Sequence, residues 1–375
     1  MIALFFDCDT GIDDSLALLY LLGRQAGIAA DPTGANPTGT DPAATPVTLV
    51  GIASTAGNVP TDVVTANNLA WLRVCGRTDI PVHRGAAGPL ADDLRTTEDT
   101  HGPRGVGYAD LPGPATTAHQ LDAADAWIAA ARRHPGTLVG LVTGPLTSLA
   151  TAIRRDPELP ALLGRLVIMG GAFHTHGNTT PVAEWNVSVD PEAAAEVFEA
   201  FSAPRTVDPV VCGLDITESI ALTPAHVVAL AEAAGSTPAE RPAAGDPRGL
   251  RSASDNPVIR YVVDALRFYF EFHHDHDEGY IAHLHDPFAA MVALDPEVVD
   301  TIPARVAVEL AGTLTRGMTV ADERSMWPGG PNARIAVRTD TEAVFAELIA
   351  VIGGYARRVH ESGSTPEHRP PREDG

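Results

Sequence analysis

The sequence contains no lysine: all 26 of its basic residues are arginines, set against 48 aspartates and glutamates. The formal net charge is −22 at pH 7. A surface this negative repels phosphate groups, so the composition argues against nucleic acids and anionic membranes as partners. It is compatible with cation binding, and also with a plain solvated surface, which explains most of the charge.

Cysteine is scarce, and Cys8, Cys75 and Cys212 stand isolated from one another. An odd number of cysteines without CxxC spacing argues against a disulfide framework and against a zinc knuckle. The sequence also lacks any apolar stretch near the ~20 residues of a membrane-spanning helix, and it lacks a basic, cleavable leader. We therefore expect a soluble cytoplasmic protein with no membrane partner.

Length and patterning predict the architecture. With 375 residues, of which 45% are hydrophobic, the chain can bury a sizeable core. Short apolar runs, such as 2–6 and 47–54, alternate with helical patterns. This predicts an α/β fold, a single-domain open and mostly parallel sheet with helices on both faces and a Rossmann-like core. We assign residues 1–360 to this domain, with low-complexity insertions at about 27–45 and 235–257, and a disordered tail at 361–375.

Four aspartates follow the first predicted strand within eight residues, in the opening MIALFFDCDTGIDDSLAL: Asp7, Asp9, Asp13 and Asp14. Like charges this close repel one another, and each carboxylate at a buried strand end carries a desolvation cost. Helix capping explains one or two of them, because the free N–H groups at a helix start favour aspartate. The others indicate a divalent cation that prefers oxygen ligands, such as Mg²⁺ or Ca²⁺.

Haloacid-dehalogenase-like phosphatases also end their first strand in this way. The stretch IALFFDCDT resembles their hhhhDxDxT pattern, with Thr10 one place early. In that family the first aspartate is the nucleophile, and a basic residue, usually lysine, neutralises the phosphoryl charge. The absence of lysine argues against this interpretation, which stays open only with an arginine in that role.

The chain resembles the nucleoside hydrolases more closely. Their signature DxDxGxDDxxA is matched at every fixed position from Asp7 to Ala17. The resemblance continues through STAGN, DTHG, LVTGPLTSLA, VIMGGAF, AEWNVSVDPEAA, HDP and LTRGMTVAD. Order and spacing together make the match specific, and it spans roughly the whole chain apart from the two insertions and the tail.

The resemblance implies hydrolysis of the N-glycosidic bond of ribonucleosides to ribose and free base by a Ca²⁺-bound water. It implies four metal ligands: Asp9, Asp14, the backbone carbonyl of Thr143, and Asp286. Asp9 would also be the general base, and Asp7 would support the loop without touching the ion. Besides the phosphatase, the alternative is a non-catalytic riboside-binding or Ca²⁺-binding protein of the same fold.

The same correspondence assigns the ribose to a set of polar side chains: Asp13, Asn58, Asn178, Glu184 and Asn186. Met169 and Trp185 would line the pocket. Without the resemblance, the local sequence favours other interpretations. Asn178 is typical of a left-handed turn. Glu184 and Asn186 are typical of the polar face of a strand, and Met169 and Trp185 are typical of core packing.

The leaving base needs a proton, and His285 is the candidate acid because histidine titrates near neutrality. His101 in DTHG is expected on a mobile flap over the base, with Tyr280 and His283 as further base contacts. The stretch HHDHD at 273–277 has the composition of a metal site, but we expect it at a solvent-facing helix end. The family also implies a homodimer or a homotetramer.

Overall fold

The computed structural model describes residues 1–29 and 45–363. Most of the predicted insertion at 27–45 therefore lies outside the described residues, as does the predicted tail from 364 onward. The first three residues of that tail, 361–363, are helical and end the last helix. Within the described ranges, no helix is both long and apolar enough to cross a membrane.

A nine-stranded sheet forms the centre of the molecule, and two short strands pair separately. In chain order the strands are β1 (Ile2–Cys8), β2 (Val47–Ser54), β3 (Val82–Arg84), β4 (Leu138–Val142), β5 (Leu163–Met169), β6 (Val210–Cys212), β7 (Ala221–Leu222), β8 (Ala282–His283), β9 (Val299–Val308), β10 (Thr319–Asp322) and β11 (Ala333–Thr339). The large sheet has the order β10-β9-β11-β6-β5-β4-β1-β2-β3. In this sheet only the pairings of β9, with β10 and with β11, are antiparallel, so the prediction of a mostly parallel sheet is confirmed.

Helices cover both faces of this sheet. They are α1 (Ile12–Gln25), α2 (Thr61–Val74), α3 (Glu98–His101), α4 (Ala123–Arg133), α5 (Thr147–Arg155), α6 (Leu159–Leu162), α7 (Trp185–Val189), α8 (Pro191–Ala200), α9 (Leu214–Thr217), α10 (Pro224–Ala233), α11 (Pro257–Asp275), α12 (His285–Leu294) and α13 (Thr341–Gly363). In β1, Leu4 and Phe6 belong to one buried cluster, and Ala3 and Phe5 to another. A strand buried on both faces requires the continuous apolar run that opens this sequence.

The site lies where the sheet order reverses direction. β1 pairs with β2 on one side and with β4 on the other. Their carboxyl ends are therefore adjacent, and the N–H of Thr143 donates to the carbonyl of Asp7 at 2.8 Å. Ligand sites in open parallel sheets form at such switch points.

Helices α1 and α12 bring their first turns together at this edge. Both helices are almost entirely buried, and they pack against each other. Asp13 and Asp14 in the first turn of α1 therefore meet Asp286 in the first turn of α12. The positive ends of the two helix dipoles offset part of this negative charge.

The segment predicted as an insertion at 235–257 contains no helix or strand between α10 and α11, but it is well bonded. Asp264 of α11 accepts the N–H of Ser252 at 2.7 Å. Arg267 of α11 pairs with Asp246. These bonds attach the segment to α11.

Candidate active site

A cavity of about 930 Å³ opens at the carboxyl edge of the sheet. Asp13, Thr143 and Asp286 line it. Nine further residues named from the sequence do so as well: Asn58, His101, Met169, Asn178, Glu184, Trp185, Asn186, His283 and His285. Asp9 and Asp14 are buried behind this lining. The fold therefore brings nearly all the predicted site residues to one place.

Three carboxylates cluster at the floor of the cavity. The carboxylate oxygens of Asp13, Asp14 and Asp286 that could serve as ligands lie within 4.8 Å of one another. Asp14 is held from two sides, because its Oδ2 accepts the N–H of Gly11 and its Oδ1 accepts the hydroxyl of Thr143, both at 2.7 Å. The cluster thus differs from the predicted ligand set in including Asp13, which had been assigned to ribose.

The electrostatics of this cluster are unfavourable without a cation. Burial, followed by repulsion from Asp14, raises the pKa of Asp13 to about 7 and holds the pKa of Asp9 well above its usual range. Burial and repulsion from Asp13 do the same to the pKa of Asp286. Among the described residues, no arginine is one of the principal causes of these shifts.

Asp9 is fixed at one oxygen and free at the other. Its Oδ2 accepts the N–H of Asn58 at 2.8 Å, whereas its Oδ1 is buried and has no hydrogen-bond partner among the described residues. Gly57 permits this close approach, since a Cβ there would lie 2.1 Å from Oδ2. A buried carboxylate oxygen without a donor is costly, and a bound cation would satisfy it.

The backbone carbonyl of Thr143 lies beside this cluster. It accepts the side-chain N–H of Asn186 at 2.8 Å, and a carbonyl oxygen has a second lone pair for another partner. The same Asn186 nitrogen also reaches the carbonyl of Met169 at 3.3 Å. The amide N–H₂ of Asn186 is therefore occupied by backbone, so it is the amide oxygen that is available to a ligand.

Asp7 is buried and is not among the residues that line the cavity. Its carboxylate accepts the Thr55 hydroxyl at 2.5 Å and the indole N–H of Trp127 at 2.7 Å. Burial raises the pKa of Asp7 to about 6. These contacts tie the end of β1 to β2 and α4, as expected for a residue that supports the loop.

Glu184 and Asn186 do not lie on a strand. Glu184 is the N-cap of the short helix α7, and its carboxylate accepts three backbone N–H groups, from Gly171, Asn186 and Val187, at 2.8–3.0 Å. The strand interpretation is wrong because five residues carry too little periodicity to distinguish a helical turn from a strand. The carboxylate thus holds together two segments of the cavity wall.

Asn178 and Trp185 form the adjoining wall. The side-chain oxygen of Asn178 accepts the N–H of Trp185 at 2.9 Å. Asn178 is not among the residues with positive φ, so the left-handed turn interpretation is wrong. The indole N–H of Trp185 is buried without a described partner, and the Arg95 guanidinium lies 6.0 Å from its ring centre. This wall therefore offers an unused donor to a ligand.

His101 is anchored to the aspartate loop. It is the last residue of α3, and its Nδ1 accepts the N–H of Ile12 at 3.1 Å. The neutral ring consequently carries its proton on Nε2. Burial lowers the pKa of His101 to about 4, and its ring contacts that of Tyr269, with 5.4 Å between centroids.

The neutral ring of His285 carries its proton on Nδ1, the opposite of His101. Its Nδ1 lies 2.8 Å from the Thr217 hydroxyl, which itself donates to the carbonyl of Gly213 at 3.1 Å. Because the Thr217 proton is committed, its oxygen accepts the N–H at Nδ1, and Nε2 of neutral His285 presents a lone pair. Burial, followed by His283 and His273, holds the pKa of His285 well below its ordinary value.

Tyr280 is not brought to the cavity. Its ring stacks on Phe270 at 4.9 Å, and it is absent from the residues that line the cavity. The aromatic and imidazole groups that do line this side come from one face of α11 and its end: Tyr269, Phe272, His273 and His276. Sequence reasoning missed Tyr269 and Phe272, although the i, i+3, i+4, i+7 spacing of the four residues is the signal of a single helix face. It expected His273 and His276 at a solvent-facing helix end, and this is wrong for His273, which is buried.

The comparisons with known proteins agree on one family. Residues 4–346 match the family model of the inosine-uridine preferring nucleoside hydrolases. The chain is 34% identical over 346 residues to the pyrimidine-specific ribonucleoside hydrolase RihA of Citrobacter koseri, an alignment that covers 92% of this chain and 96% of the relative.

Two solved structures resemble this fold throughout. The purine-preferring ribonucleoside hydrolase of Gardnerella vaginalis has a TM-score of 0.77 at 28% identity and covers 95% of this chain and 99% of its own. The plant nucleoside hydrolase PpNRh1 also has a TM-score of 0.77, at 27% identity, with 94% and 98% covered. The relatives are thus named for different bases.

Proposed function

This chain belongs to the inosine-uridine preferring nucleoside hydrolase family and hydrolyses ribonucleosides, and we propose that it does so with Ca²⁺ held by Asp9, Asp14, the Thr143 carbonyl and Asp286. The observation that carries this proposal is the buried oxygen Oδ1 of Asp9, which has no described partner and lies beside a cluster of carboxylates that repel one another. Because the chain belongs to this family of hydrolases, we no longer consider the two alternatives, a haloacid-dehalogenase-like phosphatase and a non-catalytic binding protein.

The donor set fits a hard cation. Carboxylate and carbonyl oxygens are the ligands that Ca²⁺ prefers, and its coordination number of about 6–8 leaves positions for ribose hydroxyls and water. When bound, the ion would lower the pKa of a water molecule and orient the ribose diol. Asp13, which lines the cavity within the same cluster, would accept a hydrogen bond from a ribose hydroxyl.

Asp9 would be the general base. Its Oδ2 remains bonded to Asn58, so Oδ1 is the atom that takes a proton from water. Burial and repulsion from Asp14 raise the pKa of Asp9, and a bound cation would oppose this by favouring the ionised carboxylate. Ionisation of Asp9 therefore accompanies cation binding.

The ribose would be held by the polar wall of the cavity. Asn186 would accept from a hydroxyl at its amide oxygen, because its nitrogen is occupied. Trp185 would donate its unused indole N–H. Asn58 and Asn178 add further amide groups, Met169 an apolar contact, and Glu184 fixes the wall.

Two histidines would serve the leaving base, which becomes negative as the glycosidic bond breaks and the ribose approaches an oxocarbenium ion. Protonated His285 would give its Nε2 proton to the base and return to the neutral form that Thr217 stabilises. His101 would donate a hydrogen bond from Nε2, since Ile12 occupies its Nδ1.

We further propose a cytoplasmic homodimer or homotetramer. The three cysteines are free and buried, in keeping with a reducing compartment. Large apolar side chains are exposed on the loops that flank β10, with Leu314 at 87% and Met326 at 75%, and contact between copies would cover them.

Ribose release from inosine, adenosine, guanosine, uridine and cytidine tests the proposal. The proposal expects release from at least one of these nucleosides by Ca²⁺-replete protein, and the panel ranks the bases. If none of the five nucleosides released ribose, the assignment of common ribonucleosides as substrates would be overturned. The chain would then be a member of the family that does not catalyse the family's usual reaction.

A further inference from the structure

A second cluster of metal-ligating side chains lies in the wall of the cavity. It comprises His273 near the end of α11, Glu278 in the turn that follows, and His283 in β8. One ligand atom from each lies within 4.8 Å of the other two. Nε2 of His273 is 3.8 Å from a carboxylate oxygen of Glu278, and the two imidazole centroids are 4.9 Å apart.

The backbone builds this cluster. After α11 the chain turns through Asp277, which has a φ of 62°, and the N–H of Glu278 donates to the carbonyl of His273 at 3.0 Å. Glu278 is thereby folded back toward His273. The pairing of β8 with β7, where His283 faces Ala221, fixes the third residue.

The imidazoles lack the partners that buried imidazoles normally have. His273 is only 4% exposed, and its Nδ1 is buried without a hydrogen bond among the described residues. The Nδ1 of His283 is in the same state. Buried polar atoms left unpaired are costly, so a ligand at Nδ1 of His283 would be stabilising. His273 offers this site its Nε2, the nitrogen that lies near Glu278.

His283 offers a ligand atom from a fixed position. Its backbone pairs with that of Ala221 in the two-stranded sheet, and its side chain lines the cavity. Its Nδ1 has no hydrogen-bond partner among the described residues.

We propose that His273, Glu278 and His283 form a site for a first-row divalent transition metal of the Zn²⁺ class. Two imidazoles and one carboxylate suit such ions, whereas the all-oxygen cluster of aspartates suits Ca²⁺. Three protein ligands leave the remaining position open to the cavity. The HHDHD stretch thus contributes one buried ligand, His273, and its other residues are exposed.

Zinc binding to untagged protein in excess Ca²⁺ tests this site, because Ca²⁺ would occupy the aspartate cluster under the proposed function. Isothermal titration is expected to show one tight Zn²⁺ per chain. Glu278→Gln removes an exposed ligand and is expected to weaken Zn²⁺ binding at least about tenfold. His274→Gln, a histidine on the same helix end outside the cluster, is the matched control and is expected to bind as the wild type does.

Cobalt provides an independent readout. The visible absorption of bound Co²⁺ reports its coordination number, and we expect a spectrum of four- or five-coordinate Co²⁺ that Zn²⁺ displaces and that Glu278→Gln loses. Absence of stoichiometric Zn²⁺ binding to the wild type would overturn the proposal. Equal affinity in Glu278→Gln and His274→Gln would do so too. Neither readout depends on nucleoside hydrolysis, so the two proposals fail separately.

Discussion

The hydroxyl of Thr217 lies 2.8 Å from Nδ1 of His285 and donates its own proton to the carbonyl of Gly213. This pair orients the imidazole and leaves Nε2 for the substrate. Thr217→Val keeps the shape of the side chain but leaves the buried N–H of His285 without an acceptor. We expect kcat for uridine or inosine to fall by about 10–100-fold, as measured by ribose release.

The control for Thr217 is Thr217→Ser, which restores a hydroxyl and should recover most of the activity. A p-nitrophenyl riboside provides a second control, because its leaving group needs no proton. An equal loss on this substrate and on the natural nucleosides would show that Thr217 supports the fold and not the acid.

His285→Ala is expected to slow natural nucleosides by about 10²–10⁴-fold and p-nitrophenyl riboside much less. Burial holds the pKa of His285 well below its ordinary value, so the protonated acid gains population as the pH falls from neutrality. The ratio of the natural rate to the p-nitrophenyl rate should therefore rise as the pH falls. In His285→Ala that ratio should be independent of pH, and a ratio that still rises would assign the acid elsewhere.

Gly57→Ala places a methyl group 2.1 Å from Oδ2 of Asp9, so the carboxylate must move. A displacement of this size at a reacting group costs about 10²-fold in rate, and we expect that loss in kcat with the fold retained by circular dichroism. Gly113→Ala is the matched control, since a Cβ there meets nothing within 4 Å. If Gly57→Ala kept wild-type activity, the assignment of Asp9 as the general base would be wrong.

Calcium binding is expected to release protons. Burial and mutual repulsion raise the pKa of Asp9, Asp13 and Asp286, that of Asp13 to about 7, so protons compete with a cation for these carboxylates near neutral pH. The affinity for Ca²⁺ should therefore fall as the pH falls through this range. Calorimetry in two buffers of different ionisation enthalpy measures the protons released, and an affinity that is independent of pH between 6 and 8 would contradict the account.

The sequence predicts the aspartate end of the site well and the base end poorly. Asp9, Asp14 and Asp286 follow strand ends or begin helices, and short motifs mark those positions. At the base end, Tyr269 and His273 lie on one face of the long helix α11. The apolar core residues of α11 recur with the same helical period, so the sequence pattern does not distinguish site residues from core residues. Tyr280 stands nearer in sequence to His285 than Tyr269 does, but the turn after α11 carries it onto Phe270.

The most direct test of the central claim is a calcium titration of chelator-treated protein, with ribose release from the best nucleoside as the readout. Hydrolysis by a Ca²⁺-bound water predicts no release without Ca²⁺, recovery in proportion to one Ca²⁺ bound per chain, and no recovery in Asp9→Ala. Release at the same rate before and after chelation, or full activity in Asp9→Ala, would contradict it.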